Sequence, residues 1–293
     1  MDPSLRIKSA LHNFMHGASG PMCPPKLLEA MNYAVFPGGH RIRPRLCFAV
    51  AQAHGVDDPE IVDAALASIE FLHCASLVHD DMPCFDDAQT RRGKPSVHVA
   101  FGEPLALLCG DALILLAYQT LGSVAHRAPE RVGRLLNIVT NGVGAPNGIV
   151  AGQAWECEDQ NSQVSVQEYQ RAKTGVLFAA ATMAGAAAAG ADHIGWGALG
   201  EKIGQAYQIA DDLLDTFGDP DVIGKPVGQD AELDRPNAVA ELGANGASEY
   251  LRNLIEDAMA SVPACPGEAP LRRLIHEEAT RFMELALKRR AAA

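Results

Sequence analysis

Basic residues are in short supply: 24 Lys and Arg stand against 36 Asp and Glu, a formal net charge of -12. A duplex-binding protein needs a face that neutralises phosphates, so no nucleic acid partner is expected. Small anionic substrates stay open, since they need only a local basic pocket or a metal held by acids. Cysteine gives no sign of a disulfide framework. The 7 cysteines are odd in number, and the nearest neighbours, Cys74 and Cys84, lack zinc-ligand spacing. Reduced, mostly buried thiols in a cytoplasmic protein are expected. The first residues, MDPSLRIKSALHNF, carry charges and lack the apolar core of a signal peptide. The notable uncharged stretch, Gly175 to Ala191, is mostly alanine and glycine. That composition suits close helix packing in a soluble bundle, so no transmembrane segment is expected. Repeats, low-complexity linkers and long charge runs are missing as well.

Alternating strand patterns bounded by turns are absent. Between Pro24 and Lys288 the apolar spacing is helical almost throughout, as in Ile61 to His79, Asp111 to Ala125, Val166 to Gly185 and Gly197 to Phe217. Breakers separate these segments: PGGH at 37–40, GKP at 93–95, GAPNG at 144–148, GDPD at 218–221 and PACPGEAP at 263–270. The pattern predicts an all-α, single-domain bundle over residues 1–293, with about ten to thirteen helices. Several are apolar around most of their circumference and should be surrounded by other helices.

Two aspartate clusters interrupt this apolar background. In LVHDDMPCFDDAQTRRGKP, Asp80 and Asp81 end an apolar helix, Pro83 marks where it loosens, and Asp86 and Asp87 follow. Crowded carboxylates repel unless cations neutralise them. Oxygen-only ligands favour a hard ion such as Mg²⁺, which commonly also coordinates substrate phosphate. Arg91, Arg92 and Lys94 come next, and guanidinium groups fork onto phosphate. The second cluster lies in YQIADDLLDTFGDP. Asp211 and Asp215, four apart, sit within about 40° on a helix, with Asp212 beside them. Ala206, Ile209, Ala210, Leu213 and Leu214 make that helix largely apolar, so the acids imply a cation or a cavity.

This pair of motifs resembles the two aspartate-rich motifs of trans-isoprenyl diphosphate synthases, the first with the two-residue insertion common in bacterial and plant members. The likeness runs from about Met31 to Val239. Its wording is especially similar to the geranylgeranyl diphosphate synthases of carotenoid pathways. Further segments fit. GGHRIRP at 38–44 resembles the family's isopentenyl diphosphate loop, and His73 stands where the family has a diphosphate-binding histidine. Lys173 and Thr174 match its KT pair, Gln208 its glutamine before the second motif, and Lys225 its lysine after it. There are departures too. His40 replaces the usual lysine, and near neutral pH a histidine holds only part of a charge. The pattern GQxxD ends here in Glu156, and Arg235, within DRPN, fills a lysine position.

The resemblance implies an isoprenoid synthase fold around a central cavity, with a homodimer as the assembly. It implies head-to-tail condensation of isopentenyl diphosphate with dimethylallyl, geranyl or farnesyl diphosphate. Mg²⁺, about three ions per site, would lie between Asp80, Asp81 and Asp86 on one side and Asp211 and Asp215 on the other. Arg91, Lys173 and Lys225 would stabilise the departing diphosphate. His40, Arg41, Arg43, His73 and Arg92 would hold the second diphosphate. Ala75, where farnesyl-producing relatives carry a large aromatic, would leave room for one more isoprene unit. Ser76 would share the tunnel wall, and Leu72, Phe71 or residues near Leu115 its floor. A farnesyl diphosphate synthase is the nearest rival, and a non-catalytic synthase subunit a more distant one. A class I terpene cyclase would not need GGHRIRP. A di-iron carboxylate bundle would need a second Glu-x-x-His pair beside Glu70 and His73.

Overall fold

A computed structural model describes all residues except 1, 21, 37–38, 159–164, 218–236 and 288–293. Among them are thirteen α-helical segments: α1 Pro3–Gly17, α2 Pro25–Val35, α3 Ile42–His54, α4 Pro59–Asp80, α5 Val97–Phe101, α6 Glu103–Ser123, α7 Pro129–Val143, α8 Ile149–Ala154, α9 Val166–Gln170, α10 Val176–Ala188, α11 Gly197–Phe217, α12 Ala238–Ala260 and α13 Glu268–Leu287. The all-α expectation and the helix number hold. The segments read as helical around Ile61 and Gly197 become α4 and α11.

α4 is the central wall. Asp58 caps it, accepting from the Glu60 and Ile61 amides, and Pro59 supplies a preset first turn. Its core packs on α6 along most of its length, with α3 and α10 on other sides. α10 is buried almost end to end, as the alanine-rich stretch predicted. Small residues let its neighbours approach: a Cβ on Gly185 would stand 2.3 Å from the Cys47 carbonyl of α3. A second core joins α11 to α12 through Ile209, Leu213, Leu251 and Leu254. α4 and α6 are each long and apolar enough to cross a membrane by length and composition. In α4, 78% of that stretch is buried, which makes it a core helix; in α6 the share is 44%.

One feature was not legible as a strand. Thr90–Arg91 pairs antiparallel with Lys94–Pro95 across the two-residue turn Arg92–Gly93, both at positive φ. Two residues a side are too short for an alternating pattern, and a left-handed pair is the geometry such tight hairpins require.

Candidate active site

α4 ends at Asp80, and the chain then folds back over its own terminus. The Asp86 amide donates to the Asp80 carbonyl, that of Asp87 to Met82, and that of Ala88 to Asp81. The turn brings Asp86 back to the end of the helix that carries Asp80 and Asp81. Asp80 is 8% exposed and Asp81 2%. Burial pushes both carboxyls above the ordinary aspartate range, opposed at Asp80 by the Lys173 charge and at Asp81 by hydrogen bonds from Arg91. Arg91 Nε donates to both Asp81 oxygens, at 2.9 and 3.2 Å, and its Nη2 joins them. The hairpin thus aims Arg91 at a carboxylate, where the sequence suggested phosphate.

Facing Asp80 is a segment whose helical register slips. Arg171–Gly175 forms a π-helical turn between α9 and α10, a feature frequent at functional sites. Lys173 Nζ lies 3.6 Å from Asp80 Oδ1 and 2.6 Å from Glu156 Oε1. The lengthened acid of the GQxxE pattern therefore reaches Lys173 directly, and also accepts from the Tyr169 hydroxyl. The next residue, Thr174, donates to Gln208 Oε1 of α11 at 3.3 Å, and Gln208 Nε2 donates to Asp212 Oδ1 at 3.0 Å. Adjacent residues of one turn therefore touch both acid-bearing helices.

Within the second motif the three aspartates differ. Asp211 is half-buried and Asp215 buried. Asp212 is fully buried and accepts from the Ala238 amide at 2.8 Å, which ties α11 to the start of α12. Asp212 and Gln153 were given no role from the sequence, and both bond to residues of the site. Gln153 Nε2 donates to Asp80 Oδ1 at 3.3 Å and to the Ser76 carbonyl at 3.1 Å, so it orients the motif. The GQ pair was visible in the sequence; its target was not.

The second basic site forms where α2 gives way to α3. Gly39, at φ 58, lies against Arg92: a Cβ there would stand 3.0 Å from the guanidinium carbon. His40 is exposed beside it. Arg43 is buried, its guanidinium 4.2 Å from the Phe178 ring centre and its Nη1 3.4 Å from His73 Nε2. Its Nε is buried with no hydrogen-bond partner among the described residues. A buried guanidinium with an orphan donor suits an incoming anion. Burial, then the charges of Arg43, Arg92, Arg41 and Arg91, push the His73 imidazole well below its ordinary range, so the ring is neutral. Arg41 departs from the expectation. Its guanidinium turns inward, to Glu70 and the Val35 carbonyl. A cleft lined by Tyr33, Phe36, Leu77, Asp81, Arg91 and Arg92 opens between α2, α4 and the hairpin.

Of the chain-length candidates, Ala75 and Leu72 are each 1% exposed, deep in the α4 core, and Ser76 is half-buried. Leu115 is 62% exposed on the outer side of α6, so within one chain it cannot be a tunnel floor. Lys225 and Arg235 lie outside the described residues.

Among the described residues no three His, Cys, Asp or Glu side chains already converge as a ligand set. The donor set is nonetheless all oxygen, split between two helices, and partly buried. That suits a hard divalent ion that completes its shell with substrate oxygens.

Buried acids on two helices, joined by one basic turn and flanked by a separate arginine site, define a protein that handles diphosphates. The chain belongs to the polyprenyl synthetase family, whose model matches residues 24–270. It is 48% identical to the geranylgeranyl diphosphate synthase of Cereibacter sphaeroides over 95% of this chain and 96% of that one. Its fold is that of an FPP/GFPP synthase from Zymomonas mobilis (TM-score 0.79, 31% identity, 94% of this chain and 97% of that one). A geranyltransferase from Helicobacter pylori, complexed with magnesium and isoprenyl diphosphate, superposes with a TM-score of 0.79 at 26% identity, over 97% of this chain and 98% of that one.

Proposed function

We propose that this chain is a prenyltransferase that makes geranylgeranyl diphosphate by condensing isopentenyl diphosphate with allylic diphosphates. The observation that carries the reading is the π turn whose Lys173 approaches Asp80 while Thr174 bonds Gln208. A diphosphate between the two acidic helices would be met by cationic and hydroxyl groups from that one turn. Incubation with labelled isopentenyl diphosphate and each allylic primer, followed by sizing of the products, tests it. A single farnesyl product would make the chain a farnesyl diphosphate synthase instead, and no product at all would favour a non-catalytic subunit.

Asp80, Asp81 and Asp86 with Asp211 and Asp215 would hold Mg²⁺, about three ions, which would supply charge neutralisation to the leaving diphosphate. The chain's residues do the rest. Lys173 leaves Glu156 for the allylic diphosphate, and Gln153 keeps Asp80 oriented. The allylic carbon–oxygen bond breaks with its electron pair on the diphosphate. The double bond of isopentenyl diphosphate attacks the cation, and a proton is lost to the released diphosphate, so no protein base is needed. Apolar walls exclude water from the cation. His40, Arg43, His73 and Arg92 hold the second diphosphate. His73, beside Arg43, contributes a hydrogen bond.

His40 is exposed next to Gly39 and Arg92, where a lysine would add a full charge. His40→Lys is expected to lower the KM for isopentenyl diphosphate by about threefold, about 0.6 kcal/mol, without moving the allylic KM. An unchanged KM would place His40 outside the phosphate shell.

The outer side of α6 supports a homodimer. Leu107, Leu108 and Leu115 are 49, 52 and 62% exposed. Leu108 and Leu115 are seven apart, a spacing that suits the seam of two paired helices. Leu108→Glu with Leu115→Glu is expected to shift sedimentation from dimer to monomer; a variant that still sediments as a dimer would move the interface elsewhere. Seven free thiols fit the cytoplasm.

A further inference from the structure

We propose that Arg41 and Glu70 form a clasp that fixes the first turn of α3 against the end of α2 and against α4, and that Arg41 is a positioning residue which does not itself bind diphosphate. The inference rests on the reading that Arg43 and Arg92 hold the second diphosphate.

Three observations carry it. Arg41 Nη2 donates to the carbonyl of Val35, the last residue of α2, and Nη1 to Glu70 of α4. One side chain therefore cinches the two ends of a short loop and fixes the knot to the helix that carries the aspartates. Glu70 is 1% exposed, so this carboxylate is out of reach of a substrate anion's counter-ions and needs a permanent cation. Arg41 also holds a left-handed backbone, φ 51 and ψ 38, which a residue with a Cβ adopts only when its surroundings enforce it.

That backbone matters because α3 starts there: the Arg45 amide donates to the Arg41 carbonyl at 3.0 Å. Fixing Arg41 fixes the first turn of α3, and with it Arg43, whose Nη1 meets His73. Glu70 and His73 are three apart on α4, so one face of one helix locates both arginines. Arg41 goes inward to the carboxylate, and Arg43 presents its orphan donor to the anion. At the loop's entry, Phe36 is stacked on His12 of α1 with ring centres 4.0 Å apart, so both ends of the loop are held.

A direct diphosphate ligand and a clasp predict opposite effects of Glu70→Gln. Were Arg41 a ligand, losing its counter-ion would free it for substrate, and the KM for isopentenyl diphosphate would stay level or fall. The clasp predicts that this KM rises by about tenfold, while kcat and the allylic KM stay within about twofold. Should Glu70→Gln fold poorly, Glu70→Asp keeps the buried charge but shortens its reach to Arg41, and the clasp predicts the same rise in KM with Arg41 still in place. An unchanged or lowered KM in whichever variant folds overturns the clasp. Arg43→Gln in parallel separates the two ideas. If it raises the KM and the clasp variants do not, only the clasp falls; if it leaves the KM unmoved, the anion site itself is misplaced and the clasp falls with it.

Discussion

Asp80→Asn and Asp211→Asn are each expected to lower kcat/KM by at least about 10³-fold, about 4 kcal/mol of transition-state stabilisation. The effect is large because each carboxylate has more than one task. Asp80 is where Lys173 and Gln153 converge, and Asp211 lies on the helix tied to the same π turn through Gln208. Asparagine keeps the shape and the hydrogen bond from Gln153 but carries no charge for a divalent ion. The fold should tolerate the change at Asp80. Burial raises the folded Asp80 carboxyl above its unfolded value, so the ionised form costs stability at every pH above the raised value. With chelator at neutral pH, Asp80→Asn should therefore melt no lower than wild type. The same sign bears on metal loading: Mg²⁺ must displace the proton from Asp80, so its affinity should weaken as pH falls toward the raised value. Activity should vanish with chelator and return with Mg²⁺. Full turnover in metal-free buffer, or a loss below about tenfold in both variants, would reduce the aspartates to structural acids.

The helices could be read from the sequence because burial imposes the helical period on their side chains. α4 is the strongest case, with Asp58 and Pro59 at its start and apolar residues to Val78. The acid clusters were legible for the complementary reason, since charges inside an apolar helix need something to neutralise them. Direction within a motif was not legible. Arg41 and Arg43 read identically in GGHRIRP, yet one is spent on a buried glutamate and the other keeps an unsatisfied donor. The partner that decides between them, Glu70, lies 29 residues away. Arg91 tells the same story: its carboxylate partner just past the end of α4 is ten residues earlier, brought close by a hairpin too short to leave a periodic signature. Asp212 stands beside Asp211 with the same chemistry, but it is buried by an amide at the start of another helix. Contacts across elements decide such roles, and spacing along one element does not encode them.

Ala75→Tyr is expected to shift the main product from geranylgeranyl to farnesyl diphosphate. Ala75 is one turn before His79, whose Nε2 lies 3.4 Å from the Leu107 carbonyl and 3.8 Å from Asp111 of α6. By helical spacing Ala75 shares that side of α4, facing α6 about one turn and a half below Asp80. With 1% exposure it sits in packed surroundings, where a phenol ring has no spare volume. Overpacking costs roughly 1–3 kcal/mol, so the variant should melt lower, and any room between α4 and α6 should be filled by the ring in preference to a longer chain. Early condensations should survive, since no acid or anion-binding residue is altered. Ser76→Tyr is the informative companion. The Ser76 carbonyl accepts from Gln153 of α8, so its side of α4 is a different wall. A shortened product from Ala75→Tyr alone places the growing chain between α4 and α6. A shortened product from Ser76→Tyr alone routes it along the α8 side and removes Ala75 as the reason for the longer product. If both variants still release mainly geranylgeranyl diphosphate, the chain passes neither residue and the small side chain at 75 is only what lets α4 and α6 pack.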